Sequence, residues 1–448
     1  MDYQLLLAAV GGIALLLFLI LYLKIQAFLS LLIVSMFVGV VSGMPPEDIL
    51  NHMKDGMAGT LGFVATVVGL GALFGAILEY SGGAQRLASY MLGKMGIKKA
   101  PWAVMVTGFI VAIPVFFDVA FIILVPVIFA LKQRTGKSLL LFAIPLLAGL
   151  AITHSFIPPT PGPVAVADIL GADLGWVIIT GFITGIPAAV VAGPLFASYI
   201  SRKIDLPLPD SYIEQEKENG DAPPPWLILS IITLPILLIV ARTMVESPFI
   251  KQTEIPGIVS YIIILIGHPF TALIIANLVA WYWLGVSRGA TKTELLKISS
   301  KSLYPAGVII LLTGAGGAFK QILVTSGVGT MLVESLSGDL FSPVLFAFII
   351  AAIVRIMQGS ATVAMITAAG ITAPLLMGSS FGDIQKAVLV IAIASGATIL
   401  SHVNDSGFWL VSQYLGMSEK QTFRSWTVMT TLIAVTGLIV SLLLWLVV

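Results

Sequence analysis

Along the chain, apolar runs alternate with short polar strings, and two of those strings fall where a membrane span should continue unbroken. Tyr3 to Leu23, Trp226 to Val240 and Thr427 to Val448 are examples of the apolar runs, and about 20 such residues make a helix that crosses a bilayer. The interrupting strings are THSFIPPTPGP (Thr153 to Pro163) and SHVNDSGF (Ser401 to Phe408), one in each half of the chain. In lipid, irregular polar backbone is tolerated only where protein buries it or where it lines a wet cavity. A matched pair of broken spans therefore predicts a substrate site.

The basic residues set the expected topology, because Lys and Arg outside the spans collect on the cytoplasmic side. Five groups do so: Lys24; Lys94, Lys98 and Lys99; Lys132, Arg134 and Lys137; Arg288, Lys292, Lys297 and Lys301; and Lys420 with Arg424. Pro101 to Leu131 starts after one basic loop and ends at another, so it must enter and leave on the same side. This predicts a re-entrant hairpin with its tip near Ile113 to Asp118. Leu345 to Leu376 behaves in the same way, with a tip near Arg355 to Thr362.

The halves then align part by part. Ser81-Gly82-Gly83 pairs with Ser326-Gly327, the Asp118 tip with the Gln358-Gly359-Ser360 tip, and Thr153-His154-Ser155 with Ser401-His402. The expected fold is an all-α polytopic membrane protein of two inverted-topology repeats, each with a re-entrant hairpin and a broken transmembrane helix. The first repeat covers residues 1–202, with scaffold spans in 1–56 and the hairpin and broken helix in 57–202. Residues 203–225 are read as a polar cytoplasmic linker. The second repeat covers 226–448, with scaffold spans in 226–302 and the hairpin and broken helix in 303–448. Five crossings per repeat put both termini on the extracytoplasmic side. Gly267-His268-Pro269 is expected to break or bound a helix.

Composition narrows the class further. The chain is 58% hydrophobic and 10% charged, against about 25% charged in soluble domains. Its length allows about a dozen embedded segments, which suits a multi-pass carrier in contact with membrane lipid rather than an anchored enzyme. A net charge of +1 implies no nucleic-acid partner, and the lack of cysteine rules out disulfides and thiolate metal sites. The N-terminal apolar run lacks a basic flank and is followed after Lys24 by a second span, so it reads as a retained helix.

Ionisable groups inside such a chain are the first functional candidates, since each costs at least about 2.5 kcal/mol at a helix centre unless it is paired or wet. Asp118, His154, Arg355, His402 and Asp405 all fall in the four interruptions. Asp118 and Asp405 also suit helix caps. Arg355 either binds a carboxylate substrate or neutralises Asp405 or Asp118. Asp118, Asp405, His154 and His402 are the candidates for proton coupling. Gln358, Gly359, Ser360 and Thr362 offer an amide, hydroxyls and a close-approach glycine at a half-helix N-terminus, where free N–H groups favour an anion. Thr153, Ser155, Thr160, Ser401, Asn404 and Ser406 add donors and acceptors suited to a polyhydroxylated molecule. Pro158, Pro159, Pro161 and Pro163 are expected to keep their strand extended. Glu79 and Lys320 read as interfacial, His268 as structural and His52 as a surface residue. Gly69, Gly71 and Gly75 lie inside an apolar span and read as a helix contact face, not a nucleotide loop. No ATPase, zinc-hydrolase or serine-hydrolase motif is present, so neither a cofactor nor a metal is expected.

On FFDVAF (Phe116 to Phe121), THSFIPPTPGP, QGSATVA (Gln358 to Ala364) and SHVNDSGFW (Ser401 to Trp409), the chain resembles the gluconate:proton symporter family of bacterial permeases, within the ion-transporter superfamily. The resemblance covers essentially the whole chain. It implies import of sugar acids such as gluconate by proton symport across the inner membrane, with idonate, fructuronate and D-serine as substrates of other members. It also implies hairpins meeting broken helices at the midplane, a homodimer and elevator-type movement. The alternatives are a D-serine or other small-carboxylate:proton symporter, or a sodium-coupled carboxylate carrier of the same fold.

Overall fold

The computed structural model describes residues 3–207, 223–246, 257–327, 342–376, 381–402 and 405–448, and every regular element among them is helical. Seven helices there are long and apolar enough to cross a membrane. The first half contains α1 (Tyr3–Leu17), α2 (Ala27–Val41), α3 (Pro46–Tyr80), α4 (Gly83–Met95), α5 (Ala100–Val111), α6 (Phe117–Thr135), α7 (Leu140–Phe156), α8 (Pro161–Leu170), α9 (Leu174–Val190) and α10 (Phe196–Ile200). The second contains α11 (Pro225–Glu246), α12 (Gly257–Ile266), α13 (Pro269–Ala280), α14 (Lys292–Thr325), α15 (Pro343–Gln358), α16 (Ala361–Thr372), α17 (Asp383–Gly396), α18 (Ser406–Leu415), α19 (Glu419–Thr422) and α20 (Val428–Trp445).

The breaks fall where the sequence predicts them. Pro114 cannot supply an N–H, and the helix stops at Val111 to restart at Phe117. Gly359 takes a φ of 85°, the left-handed region open to glycine, and ends α15. At 12 residues each, α5 and α16 are about 18 Å long, too short to cross a bilayer of about 30 Å. Lys98 and Lys137, which flank the α5–α6 segment, line one recess together with Trp102 and Ser198. Gly267-His268-Pro269 separates α12 from α13, and His268 caps α13 by accepting from the Phe270 N–H at 3.3 Å.

Two details depart from expectation. Pro161 and Pro163 lie in the first turn of α8, where no partner is required for their missing N–H, so only Ile157 to Thr160 is non-helical. The N-cap of α6 is Phe116, which leaves Asp118 in the first turn rather than capping it. Between the Ser81-Gly82 turn and the basic residues, Gly83–Met95 forms the helix α4, with Leu87 and Ala88 buried. The expected domain boundaries at 56/57 and 302/303 also fall inside α3 and α14. Of the expected linker, 208–222 lies outside the described residues, while Lys132 holds its start by an ion pair to Asp205 at 3.1 Å.

Close backbone contacts hold the bundle together. The helices α3 and α14 form its most extensive pair among the described residues. A Cβ on Gly317 of α14 would lie 2.3 Å from Thr60 Oγ1, so only glycine permits the approach. The α7–α8 span is the most buried of the seven, with other helices around it. Gly149 of α7 meets Met105 O of α5, and Gly396 of α17 meets Phe348 O of α15; an added Cβ would sit 2.3 and 2.2 Å from those oxygens. Glycines of α7 and α17 thus let the backbones of α5 and α15 approach them closely.

Candidate functional site

The second break is built around an ion pair. Arg355 comes from the last turn of α15 and Asp405 from the N-cap of α18, with 4% and 8% of their surfaces exposed. Arg355 Nη2 donates to Asp405 Oδ2 at 2.5 Å, and Nη1 donates to the carbonyl of Gly359 at the hairpin tip. Asp405 Oδ1 accepts the Gly407 N–H at 3.0 Å, the expected capping contact, and Oδ2 accepts the Ser401 hydroxyl. The carboxylate thus receives three donors: the guanidinium, the Ser401 hydroxyl and the Gly407 N–H.

The last span completes this network. Trp426 Nε1 donates to Ser401 Oγ at 2.6 Å, Thr427 Oγ1 donates to the Ser401 carbonyl, and the Ser401 N–H reaches Thr430 Oγ1 at 3.3 Å. Sequence reasoning missed these three residues. The signal was present, because Ser425-Trp426-Thr427 and Thr430-Thr431 are polar positions at the head of an otherwise apolar span. His402 Nε2 lies 2.7 Å from the Ile356 carbonyl, a contact that requires the proton on Nε2 and ties break to hairpin a second time.

The first break is satisfied differently. Thr153 Oγ1 donates to the Phe109 carbonyl at 2.8 Å and Thr160 Oγ1 to the Ile157 carbonyl at 2.6 Å, so both hydroxyls serve backbone. Ser155 is buried beside them. Gly71 and Gly75 of α3 line the approach to this region. A Cβ on Gly75 would lie 2.1 Å from Pro114 O, and one on Gly71 3.5 Å from Pro159 O. The glycine face expected to contact another helix therefore receives non-helical backbone at Pro114 and Pro159 through Gly75 and Gly71, while a Cβ on Gly69 would lie 3.9 Å from Leu303 of α14.

Two phenylalanines link the breaks. Phe116 packs edge-on against His154, with centroids 6.5 Å apart, and Phe117 packs against Trp426 at 5.5 Å. Asp118 follows immediately, exposed and within electrostatic reach of Asp405. Gly162 of α8 faces Met365 of α16, which brings the first break against the second hairpin. The four interruptions thus converge. Arg355, Gly359, Ser401, His402 and Asp405 touch one another directly, with Asp118 beside them. Ser360 caps α16 by accepting from the Val363 N–H at 3.4 Å. Thr362 sits in the following turn, Ser406 is exposed at the start of α18, and Asn404 lies outside the described residues. Arg355 Nε, Gln358 Oε1 and His154 Nδ1 are buried with no hydrogen-bond partner among the described residues. Such atoms are the natural contacts of a polar ligand.

One charged group away from the breaks also escaped the sequence reading. Asp168 of α8 lies within electrostatic reach of Lys320 of α14 and beside Thr60 of α3. Lys320, read as interfacial, therefore faces a carboxylate of the broken span. No group of three or more metal-ligating side chains is found among the described residues.

Spanning helices broken around a buried ion pair fit a multi-pass membrane protein of the permease class. A sequence profile of the GntP family permeases matches residues 3–447, and the chain belongs to that family. It is 42% identical over 440 residues to the low-affinity gluconate transporter of Escherichia coli K12, covering 98% of both chains. It is 36% identical over 429 residues to the Gnt-II system L-idonate transporter of the same organism, covering 96% of both. In fold it is similar to the YdaH transporter of Alcanivorax borkumensis, with a TM-score of 0.67, 14% identity and coverage of 94% of this chain and 97% of that one.

Proposed function

We propose that the chain is a secondary active transporter that imports gluconate or a closely related sugar acid together with protons. The observation that carries the substrate class is the near-full-length similarity to transporters named for gluconate and L-idonate. These two acids have in common a carboxylate and a polyhydroxylated chain. The junction offers a matching set of groups: the Arg355 guanidinium for the carboxylate, and Gln358 Oε1 and the hydroxyls of Ser360 and Thr362 for the substrate hydroxyls.

The transport cycle is an elevator-type movement of two inverted repeats, in which hairpins and broken helices carry the site past a static scaffold. Because α3 and α14 are continuous, we place the line between moving and static parts at an end of each helix rather than at 56/57 and 302/303. The recess common to Lys98 and Lys137 supports re-entry of α5 and α6. Proton coupling is assigned to the group Asp118, Asp405, His154 and His402. The protein works as a homodimer in the bacterial inner membrane, with both termini extracytoplasmic.

Uptake into proteoliposomes tests this reading, with imposed proton or sodium gradients and labelled gluconate, idonate, fructuronate and D-serine. Gluconate accumulation driven by an inward proton gradient is expected. Accumulation driven by sodium alone, or of D-serine in preference to every sugar acid, would overturn it.

A further inference from the structure

Of the three guanidinium nitrogens of Arg355, Nη1 and Nη2 have partners and Nε has none among the described residues. A guanidinium offers a carboxylate a side-on edge formed by its Nε–H and one Nη2–H, which together take both oxygens. Here Asp405 occupies that edge with a single oxygen, Oδ2 on Nη2, while Nε stays buried without a partner among the described residues. The other oxygen, Oδ1, is turned away to the Gly407 N–H. Asp405 is therefore a one-point occupant of a two-point site.

We propose that the substrate carboxylate displaces Asp405 from Arg355, and that the released Asp405 takes up the co-transported proton. This inference rests on the reading of the chain as a proton-coupled carrier of a monocarboxylate. The incoming carboxylate gains both Nε and Nη2, which Asp405 does not. The released carboxylate keeps Ser401 Oγ and the Gly407 N–H but loses its guanidinium partner. A buried carboxylate without a counter-charge takes a proton rather than remain ionised. The titratable groups facing it are Asp118 from α6, whose negative charge disfavours a second bare carboxylate, and His402 on the same break, whose Nε2 is engaged by Ile356 O. No other cation pairs with Asp405 among the described residues.

Charge accounting turns this exchange into obligatory coupling. The empty site holds Arg355 as a cation and Asp405 as an anion, for a net charge of zero. The loaded site holds the Arg355 cation, the substrate anion and neutral Asp405, again zero. Substrate without a proton would leave one uncompensated negative charge, and a proton without substrate one uncompensated positive charge. Either would have to be carried through a low-dielectric interior, so only the empty and fully loaded sites move. The proton enters from the same aqueous side as the substrate and leaves when Asp405 returns to Arg355.

Proton uptake on gluconate binding tests this, measured by calorimetry of the purified full-length protein in buffers of different ionisation enthalpy. About one proton per gluconate is expected for the wild type and none for Asp405→Asn, which should still bind gluconate because Arg355 is then free. The same variant should exchange labelled gluconate and fail to accumulate it. A second measurement needs no variant: infrared difference spectra of the wild type should gain a protonated-carboxyl band when gluconate is added. Proton uptake that survives in Asp405→Asn, uptake that disappears in Asp118→Asn alone, or the absence of the carboxyl band would each overturn the exchange while leaving proton-driven gluconate uptake intact. Failure of the wild type to bind gluconate would instead remove the functional reading, and this inference with it.

Discussion

The two broken spans occupy corresponding places in the chain and solve the same problem by opposite means. At the first, prolines remove N–H donors and Thr153 and Thr160 donate their hydroxyls to backbone carbonyls, that of Phe109 on α5 and that of Ile157 within the break, and no Asp, Glu, Lys or Arg lies between Thr153 and Pro163. At the second, Asp405, Arg355, Ser401 and Trp426 link three separate elements through side chains. A break satisfied by neutral hydroxyl-to-carbonyl bonds offers a competing ion nothing to displace. One satisfied by a charge pair can be rearranged by such an ion. On the proposed transport reading, the first break forms the wall of the site and the second its working part.

The sharpest way to break this comparison is at the ion pair. Arg355→Ala should destabilise the protein by about 3–5 kcal/mol, because it leaves a buried carboxylate unpaired, and it should abolish uptake. Thermal unfolding in detergent measures the first and proteoliposome transport the second. The double variant Arg355→Ala with Asp405→Ala should regain much of the lost stability. Equal loss in the single and double variants would mean that the two charges are not coupled.

Gly75→Ala comes next, since it places a methyl 2.1 Å from the Pro114 carbonyl and must push the hairpin tip off α3. A loss of about 1–3 kcal/mol is expected, as for other overpacked cores, with impaired uptake. Gly59 is the control: it lies on the same helix with nothing within 4 Å of an added Cβ. Its alanine variant should be neutral, or stabilising by up to about 1 kcal/mol.

The two breaks can then be compared directly. Thr153→Val should cost about 1 kcal/mol, one backbone-directed hydrogen bond, and leave gluconate affinity unchanged. Ser401→Ala removes a hydroxyl that serves both Asp405 and Trp426, and should lower uptake as well as stability. Equal affinity loss in both variants, measured by calorimetry, would mean that the first break binds substrate as the second does. The smallest functional effect is expected from single cysteines at Lys99 and Lys137, which should leave uptake intact and label from the same membrane side. Labelling from opposite sides would make the α5–α6 segment a single crossing and remove the inverted topology.

How much of this was legible depended on how conspicuous each residue is against its surroundings. Pro114, Gly359, the prolines after Ile157 and the charges Asp118, Arg355 and Asp405 stand out in apolar text, and the helices break beside or at them. Trp426, Thr427 and Thr430 form a visible polar cluster at the head of their span, but nothing local tells that they face Ser401. Asp168 escaped for a related reason: its meaning lies in Lys320, on a helix far along the chain. The amphipathic α4 was hidden under the basic residues that set the topology.

By itself the sequence determined that the chain is a helical, multi-pass membrane protein, where its spans are interrupted and which charges sit there. These follow from hydropathy and backbone chemistry, which act residue by residue. Only the tertiary structure decided between the partners open to Arg355, pairing it with Asp405 rather than Asp118, and brought Trp426 onto Ser401 and Phe116 onto His154. Those choices depend on how helices distant in sequence pack, through glycines such as Gly75, Gly149 and Gly396 that let backbones touch. A pairing is a relation between two positions in space, which no single stretch of the chain contains.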